Sequence, residues 1–222
     1  MANIFSSSIG KKIIMSISGL FLILFLLVHL TINFLVLLDS DGAIFIAAAH
    51  FMGTNPIIRI MEPMLLIGFF FHIFYGIYLA ILNNAARPVQ YAVPIKTEAS
   101  WSSKNMLITG FAIFAFLVVH IWNYFYKIKF TDLITSGQMN EAELVKSLFL
   151  PERWYFLVFY IISFILLGLH LNHSLQSAFQ TMGLNNKVWL PRLKIASTIY
   201  AIVIAVGFSL IPIVVFFKAY IN

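Results

Sequence analysis

The sequence predicts an all-α integral membrane protein built as a bundle of five transmembrane helices. Three observations carry that expectation. The chain of 222 residues is 61% hydrophobic and only 10% charged, whereas soluble domains carry about a quarter charged residues. Five apolar runs, roughly 13–38, 57–83, 105–128, 153–180 and 194–218, each reach the ~20 residues that a membrane span needs. The segments between them collect most of the prolines and charges. Nothing marks a second domain, a low-complexity tract or an obvious repeat, so residues 1–222 read as one transmembrane domain.

The first run is too long for a secretory signal and lacks a small-residue cleavage site after it, so it is kept as a span. The connection 39–56, "DSDGAIFIAAAHFMGTNP", has room for a short helix. Pro56 suits the start of the second span, with Glu62-Pro63 as the alternative boundary. The connection 84–104 contains two prolines and Trp101 and is too irregular to lie in lipid. Within 129–152, "MNEAELVKSLF" reads as a short amphipathic helix ended by Pro151. Pro191 introduces the fifth span, and Pro212 is a candidate kink. Gly19, Gly68, Gly76, Gly110, Gly168 and Gly207 fall inside spans. Small residues there let helix backbones approach, and they also make room for a flat ligand.

The chain has no cysteine, which excludes disulfides, thiolate metal sites and iron–sulfur ligation within it. A net charge of +6 would suggest nucleic acid in a soluble protein. Here the positive-inside bias accounts for it, and no nucleic-acid partner is expected. Five spans put the termini on opposite sides. The side holding the N-terminus carries eight Lys and Arg against one acid, Glu98, and the other side six against seven acids. The N-terminus is therefore expected in the cytoplasm and the C-terminus outside.

Six histidines occur, and five lie inside spans: His29, His72, His120, His170 and His173. Intramembrane ionisable residues are costly and tend to be functional, although a neutral imidazole can also simply hydrogen-bond a neighbouring helix. Depth separates these readings. At 1.5 Å per residue, His29 and His120 both stand ~23 Å from the inner face, in the outer half of a ~30 Å core. His72 and His170, entering from outside, match each other in the inner half. Four helices thus supply two pairs at two levels roughly 15 Å apart. Two imidazoles facing each other from separate helices can ligate a haem iron on both sides, an arrangement that suits electron transfer. Each second ring nitrogen needs a partner, expected to be a helix carbonyl one turn back. Zinc or copper fits less well, because the pairs are too far apart for one ion and no carboxylate lies at either level. The expectation is a bundle enclosing two b-type haems, with Gly68 and Gly76 clearing the helix face around His72.

Haem propionates favour the wet end of a bundle. Ser16, Lys11, Lys12, Trp101, Lys104, Lys187 and Lys194 lie near the inner end. Ordinary positive-inside anchoring accounts for most of the cations, and Ser16 is the least ordinary of the set. His173, one turn from His170 towards the cytoplasm, is assigned a propionate or supporting role.

At this point the sequence resembles the diheme, five-helix cytochrome b anchor subunits of succinate:quinone oxidoreductases, the membrane subunits of succinate dehydrogenase or fumarate reductase. The resemblance covers the whole chain. It rests on "GLFLILFLLVHLTIN", "NPIIRIMEPMLLIGFFFHIFYGIYL" and "FLVVHIWNY", and most specifically on "GLHLNHSLQSAFQTMG" in the fourth span. It implies that His29 and His120 bind an outer, distal haem b and His72 and His170 an inner, proximal one. It also implies a flavoprotein and an iron–sulfur subunit docked on the cytoplasmic face, quinone as the membrane substrate, and a bacterial cytoplasmic membrane as the location. The five-helix diheme type is associated with menaquinone. Dicarboxylate chemistry would belong to a partner subunit. In fumarate-reducing relatives an acid can stand two positions before the fourth-span ligand; here that position is Gly168, which tilts the reading towards succinate dehydrogenase.

A quinone needs donors for its carbonyls and a proton route. Near the outer level the candidates are Glu62, His50 and Arg59, each with a surface role as its alternative, Arg59 and Glu62 as an i,i+3 pair. Two competing functions remain at this stage. One is the cytochrome b subunit of another quinone-linked dehydrogenase or hydrogenase. The other is a proton-coupled transporter with histidine relays, although no repeated halves or broken mid-membrane helices are evident. A higher-order oligomer is compatible with either.

Overall fold

The computed structural model describes residues 7–85 and 105–221. Among these residues the chain is helical and contains no strand. Five helices are long and apolar enough to cross a membrane, which makes this a multi-pass membrane protein. They are α1 (Ser8–Phe34), α3 (Pro56–Ala85), α4 (Met106–Phe130), α6 (Trp154–Thr181) and α7 (Trp189–Ile221). Two shorter helices, α2 (Ala43–Thr54) and α5 (Glu141–Leu148), lie in the connections that follow α1 and α4.

Local chemistry sets the ends. The Ser7 hydroxyl accepts from the Gly10 N–H at 3.0 Å and opens α1. Pro56 is the first residue of α3, where its missing N–H costs nothing, and the helix runs straight through Pro63. Asn140 and Glu143 form a reciprocal capping box at the start of α5. Asn140→Ala is expected to cost about 1 kcal/mol, read as a lowered unfolding midpoint in detergent with the spans intact. At the end of α6, Gly183 takes φ +92°. Its N–H bonds Gln180 O and the Leu184 N–H bonds Phe179 O, a Schellman closure that a side chain at Gly183 would strain. Asn186 then caps α7 through the N–H groups of Val188 and Trp189. Pro191 sits just inside that helix, and Pro212 is buried within it.

Helix α6 is the centre of the bundle. It packs most extensively against α7, then against α1 and α4. Helix α3 leans mainly on α1 and touches α4 lightly, and none of its described residues is buried. The four helices that carry His29, His72, His120 and His170, namely α1, α3, α4 and α6, therefore form one group. Helix α7 closes against α6 and α1. The Tyr200 hydroxyl donates to Ile23 O at 2.6 Å and the Thr198 hydroxyl to Asn172 Oδ1 at 3.2 Å. The remaining apolar residues face outward, as a lipid-exposed surface requires.

The glycines serve helix contact. A Cβ on Gly68 would meet the Phe21 ring at 3.0 Å, and one on Gly76 would meet Met15 Cε at 3.3 Å. The expected clearing around His72 is thus filled by two α1 side chains, which seat α3 on α1. Gly168 and Gly207 do the same for α7, facing Ala205 and Leu30.

Candidate metal centres

The inner level is built from a repeated local design. On α3, His72 Nδ1 lies 3.0 Å from Ser18 Oγ of α1, and His72 Cε1 sits over Gly19, 3.3 Å from where its Cβ would be. On α6, His170 Nδ1 lies 3.2 Å from Thr109 Oγ1 of α4, and its Cε1 sits over Gly110 at 3.8 Å. Each imidazole is therefore held by a hydroxyl-glycine pair on the neighbouring helix, not by its own helix carbonyl as the sequence suggested. His72 and His173 both lie within electrostatic range of His170. Among the described residues no three His, Asp or Glu side chains converge.

At the outer level the His29 and His120 rings stand edge to face, with centroids 5.8 Å apart and planes at 88°. Each stacks on the phenylalanine one turn before it, Phe25 at 5.1 Å and Phe116 at 5.4 Å. Phe208 of α7 closes against His29 at 5.6 Å. The Asn33 amide donates to His29 O at 2.8 Å and lies 3.3 Å from His29 Nδ1. Among the described residues His120 Nδ1 is buried with no hydrogen-bond partner. Just beyond His120 the helix widens into a π-helical turn, Trp122–Tyr126, a distortion often found at functional sites.

The spacing of the His29 and His120 rings suits a bis-imidazole centre. Metal–nitrogen bonds of about 2.0 Å place two ligated ring centres about 6 Å apart, close to the 5.8 Å between His29 and His120. At the inner level Nδ1 is engaged on both rings, which leaves Nε2 as the nitrogen available to ligate.

The other sequence candidates separate. Ser16 is buried, but its hydroxyl donates to Lys12 O at 2.9 Å. The hydroxyl that reaches a histidine is that of Ser18, two residues on. His173 is partly buried on α6, and Lys187 is exposed in the turn before α7. Trp101 and Lys104 lie outside the described residues. Glu62 forms an ion pair with Lys129 of α4 at 2.9 Å, while Arg59 Nε donates to Gly53 O at 2.9 Å. The i,i+3 pairing is thereby replaced by a cross-helix tie. His50 is exposed on α2.

The structure also exposes a repeat that the sequence reading missed. The segments "MSISGLFLILFLLVH" (15–29) and "MLITGFAIFAFLVVH" (106–120) are identical at seven of fifteen positions. The matches include the glycine, the stacking phenylalanine and the terminal histidine. The repeat hides because its constant positions are mostly ordinary membrane residues, and only the contacts show which of them matter.

No protein-family model, no curated protein and no solved structure matches this chain.

Proposed function

We propose that this chain is the diheme cytochrome b membrane anchor of a succinate:quinone oxidoreductase, working as part of a succinate dehydrogenase. The observation that carries the proposal is the approach of the His29 and His120 rings, with centroids 5.8 Å apart, beside two further histidines, His72 and His170, on the other two helices of the same group. His29 and His120 would hold the outer haem b, and His72 and His170 the inner one. Haem iron ligated by two imidazoles supplies one-electron transfer with no open position for oxygen. The chain's own part is to orient the imidazoles, keep water from them, and carry the sites across the membrane core. Ser16, His173, Trp101 and Lys187 are the propionate-side or supporting candidates at the inner end.

In this reading the Lys- and Arg-rich side is cytoplasmic and receives the flavoprotein and iron–sulfur subunits. The N-terminus is inside, the C-terminus outside, and the membrane is the bacterial cytoplasmic membrane. Electrons would pass to menaquinone, with Glu62, Arg59 and His50 as candidate contacts on the outer side. The preference for succinate oxidation over fumarate reduction draws on Gly168. A side chain there would begin 3.0 Å from Ala205 Cβ and 3.3 Å from Ala201 O, so no carboxylate could be accommodated without moving α7.

The test is spectroscopic. Purified from cells with ample haem supply, the protein should show a reduced-minus-oxidised b-type spectrum and two haems per chain. In the complex with its soluble partners, succinate should reduce them. A colourless protein would end the haem reading. A haem-loaded protein that co-purifies with subunits of another dehydrogenase and ignores succinate would end the succinate assignment alone.

A further inference from the structure

Each inner histidine meets a hydroxyl and a glycine of the neighbouring helix, an arrangement written twice into the chain. The Ser18 hydroxyl lies 2.9 Å from Met15 O as well as 3.0 Å from His72 Nδ1. The Thr109 hydroxyl lies 3.0 Å from Met106 O and 3.2 Å from Asn105 O, as well as 3.2 Å from His170 Nδ1. A carbonyl oxygen can only accept, so a hydroxyl bonded to its own helix has spent its one proton there. What it then offers the imidazole is a lone pair, and the contact is a hydrogen bond only if Nδ1 carries the proton. Nε2 is left with its lone pair free.

The two copies share more than these contacts. Ser18 stands eleven residues before His29, and Thr109 eleven before His120. Eleven residues are three helical turns, ~16 Å along one face. Each of α1 and α4 thus presents a histidine to the outer level and, on the same stripe, a hydroxyl and a glycine to the inner level. The glycine matters because the neighbouring ring lies over it, at 3.3 Å for Gly19 and 3.8 Å for Gly110. Among the described residues the outer level has no counterpart: His120 Nδ1 is unpartnered, and His29 meets an amide of its own helix.

We propose that Ser18-Gly19 and Thr109-Gly110 are positioning residues that fix His72 and His170 as Nδ1–H tautomers, so that the inner level presents two Nε2 lone pairs to one electron-accepting metal centre while the outer level is left without this constraint. The role of that metal rests on the haem reading above; the tautomer assignment does not. An imidazole donating from Nδ1 is a more basic ligand, which stabilises the oxidised metal. The hydroxyls therefore hold the inner potential down relative to the same ligands without them.

The experiment uses the full chain with ¹⁵N-labelled histidine, before and after haem loading. In the haem-free protein His72 and His170 should show a protonated Nδ1 and an unprotonated Nε2. Ser18→Ala should change the His72 signals alone, and Thr109→Val the His170 signals alone. Ser18→Thr and Thr109→Ser should restore the original pattern, and Ser209→Ala, which removes a hydroxyl donating to its own helix on α7, should leave both unchanged. After loading, Ser18→Ala should shift the oxidation equilibrium of one haem towards reduction by about tenfold, ~59 mV for one electron, with the other haem unmoved. An Nε2–H tautomer at either histidine in the parent protein overturns the proposal, as does a pattern indifferent to Ser18→Ala and Thr109→Val. Because the first readout needs no haem, a protein that fixes both tautomers yet binds none would refute the haem reading while leaving this assignment standing. Should Ser18→Ala or Thr109→Val fail to fold, the parent spectrum and the Ser18→Thr and Thr109→Ser variants decide the matter.

Discussion

Replacing His120 by alanine is expected to lower the haem content from two per chain to one and to erase one low-spin signal while sparing the other. His29→Ala should erase the same signal, because the two rings face each other with centroids 5.8 Å apart. His72→Ala and His170→Ala should jointly erase the other. The grouping of the four variants is the sharp result, since any other grouping would mean that the histidines pair differently. The effect should be large. A ligand held at a thousand times its dissociation constant stabilises its host by ~4 kcal/mol, so each variant should also unfold more readily than the loaded parent. Because none of the described side chains of α3 is buried, its hold on the bundle rests mainly on the seam with α1. The His72 variant should therefore loosen α3 more than the His120 variant loosens α4. Limited proteolysis of the loaded proteins, followed by mass mapping, measures that difference. His173→Asn should keep both haems.

Much of this architecture could be read from the chain. The apolar runs located all five spans, and the described helices depart from them by about a turn or more only at the start of α1 and at the two ends of α7. Pro56 and "NEAELVKSL" announced the start of α3 and the short helix α5 correctly, because capping is local chemistry. Depth counting grouped His29 with His120, and these rings meet. What stayed hidden was which neighbour each face would find. Spacing along a helix fixes which residues share a stripe, but nothing in "IMEPMLLIGFFFHIFYG" says that its glycines will take up Phe21 and Met15. Nor does Ser18 differ from Ser16 by any local rule, since both bond back to their own helix. Only the approach of α3 selects one of them. The π-helical turn after His120 was invisible for a related reason. "WNYFY" has an unremarkable helical composition, and its widened hydrogen-bond ladder emerges beside Tyr160 and the α5 cover. Glu62 likewise has two candidate cations, and the fold gives it Lys129 because the outer ends of α3 and α4 are brought together.

The second large effect concerns the seam that holds α6 to α7. Without a hydrophobic driving force between helices in lipid, association depends on close packing and cross-helix hydrogen bonds. At Gly168 the two backbones come so near that a Cβ would stand 3.0 Å from Ala205 Cβ and 3.3 Å from the Ala201 carbonyl oxygen. The first neighbour is a methyl group that cannot rotate away, and the second is backbone. Gly168→Leu therefore has no local escape and must push α7 outward. That movement would stretch the Thr198–Asn172 and Tyr200–Ile23 hydrogen bonds and lift Phe208 from His29. Overpacking of this kind costs about 1–3 kcal/mol in well-packed cores, and the lost cross-helix bonds add to it. The expected result is a markedly lower thermal midpoint in detergent, together with a perturbed outer haem, since Phe208 reports on His29 but not on His72. Gly168→Ala should show a smaller loss, and combining it with Ala205→Gly should recover most of that loss by removing the methyl it meets. If the double variant is no better than Gly168→Ala alone, the seam is not limited by that contact. The Ala201 carbonyl would then be the obstacle, and only a shift of the α7 backbone could relieve it.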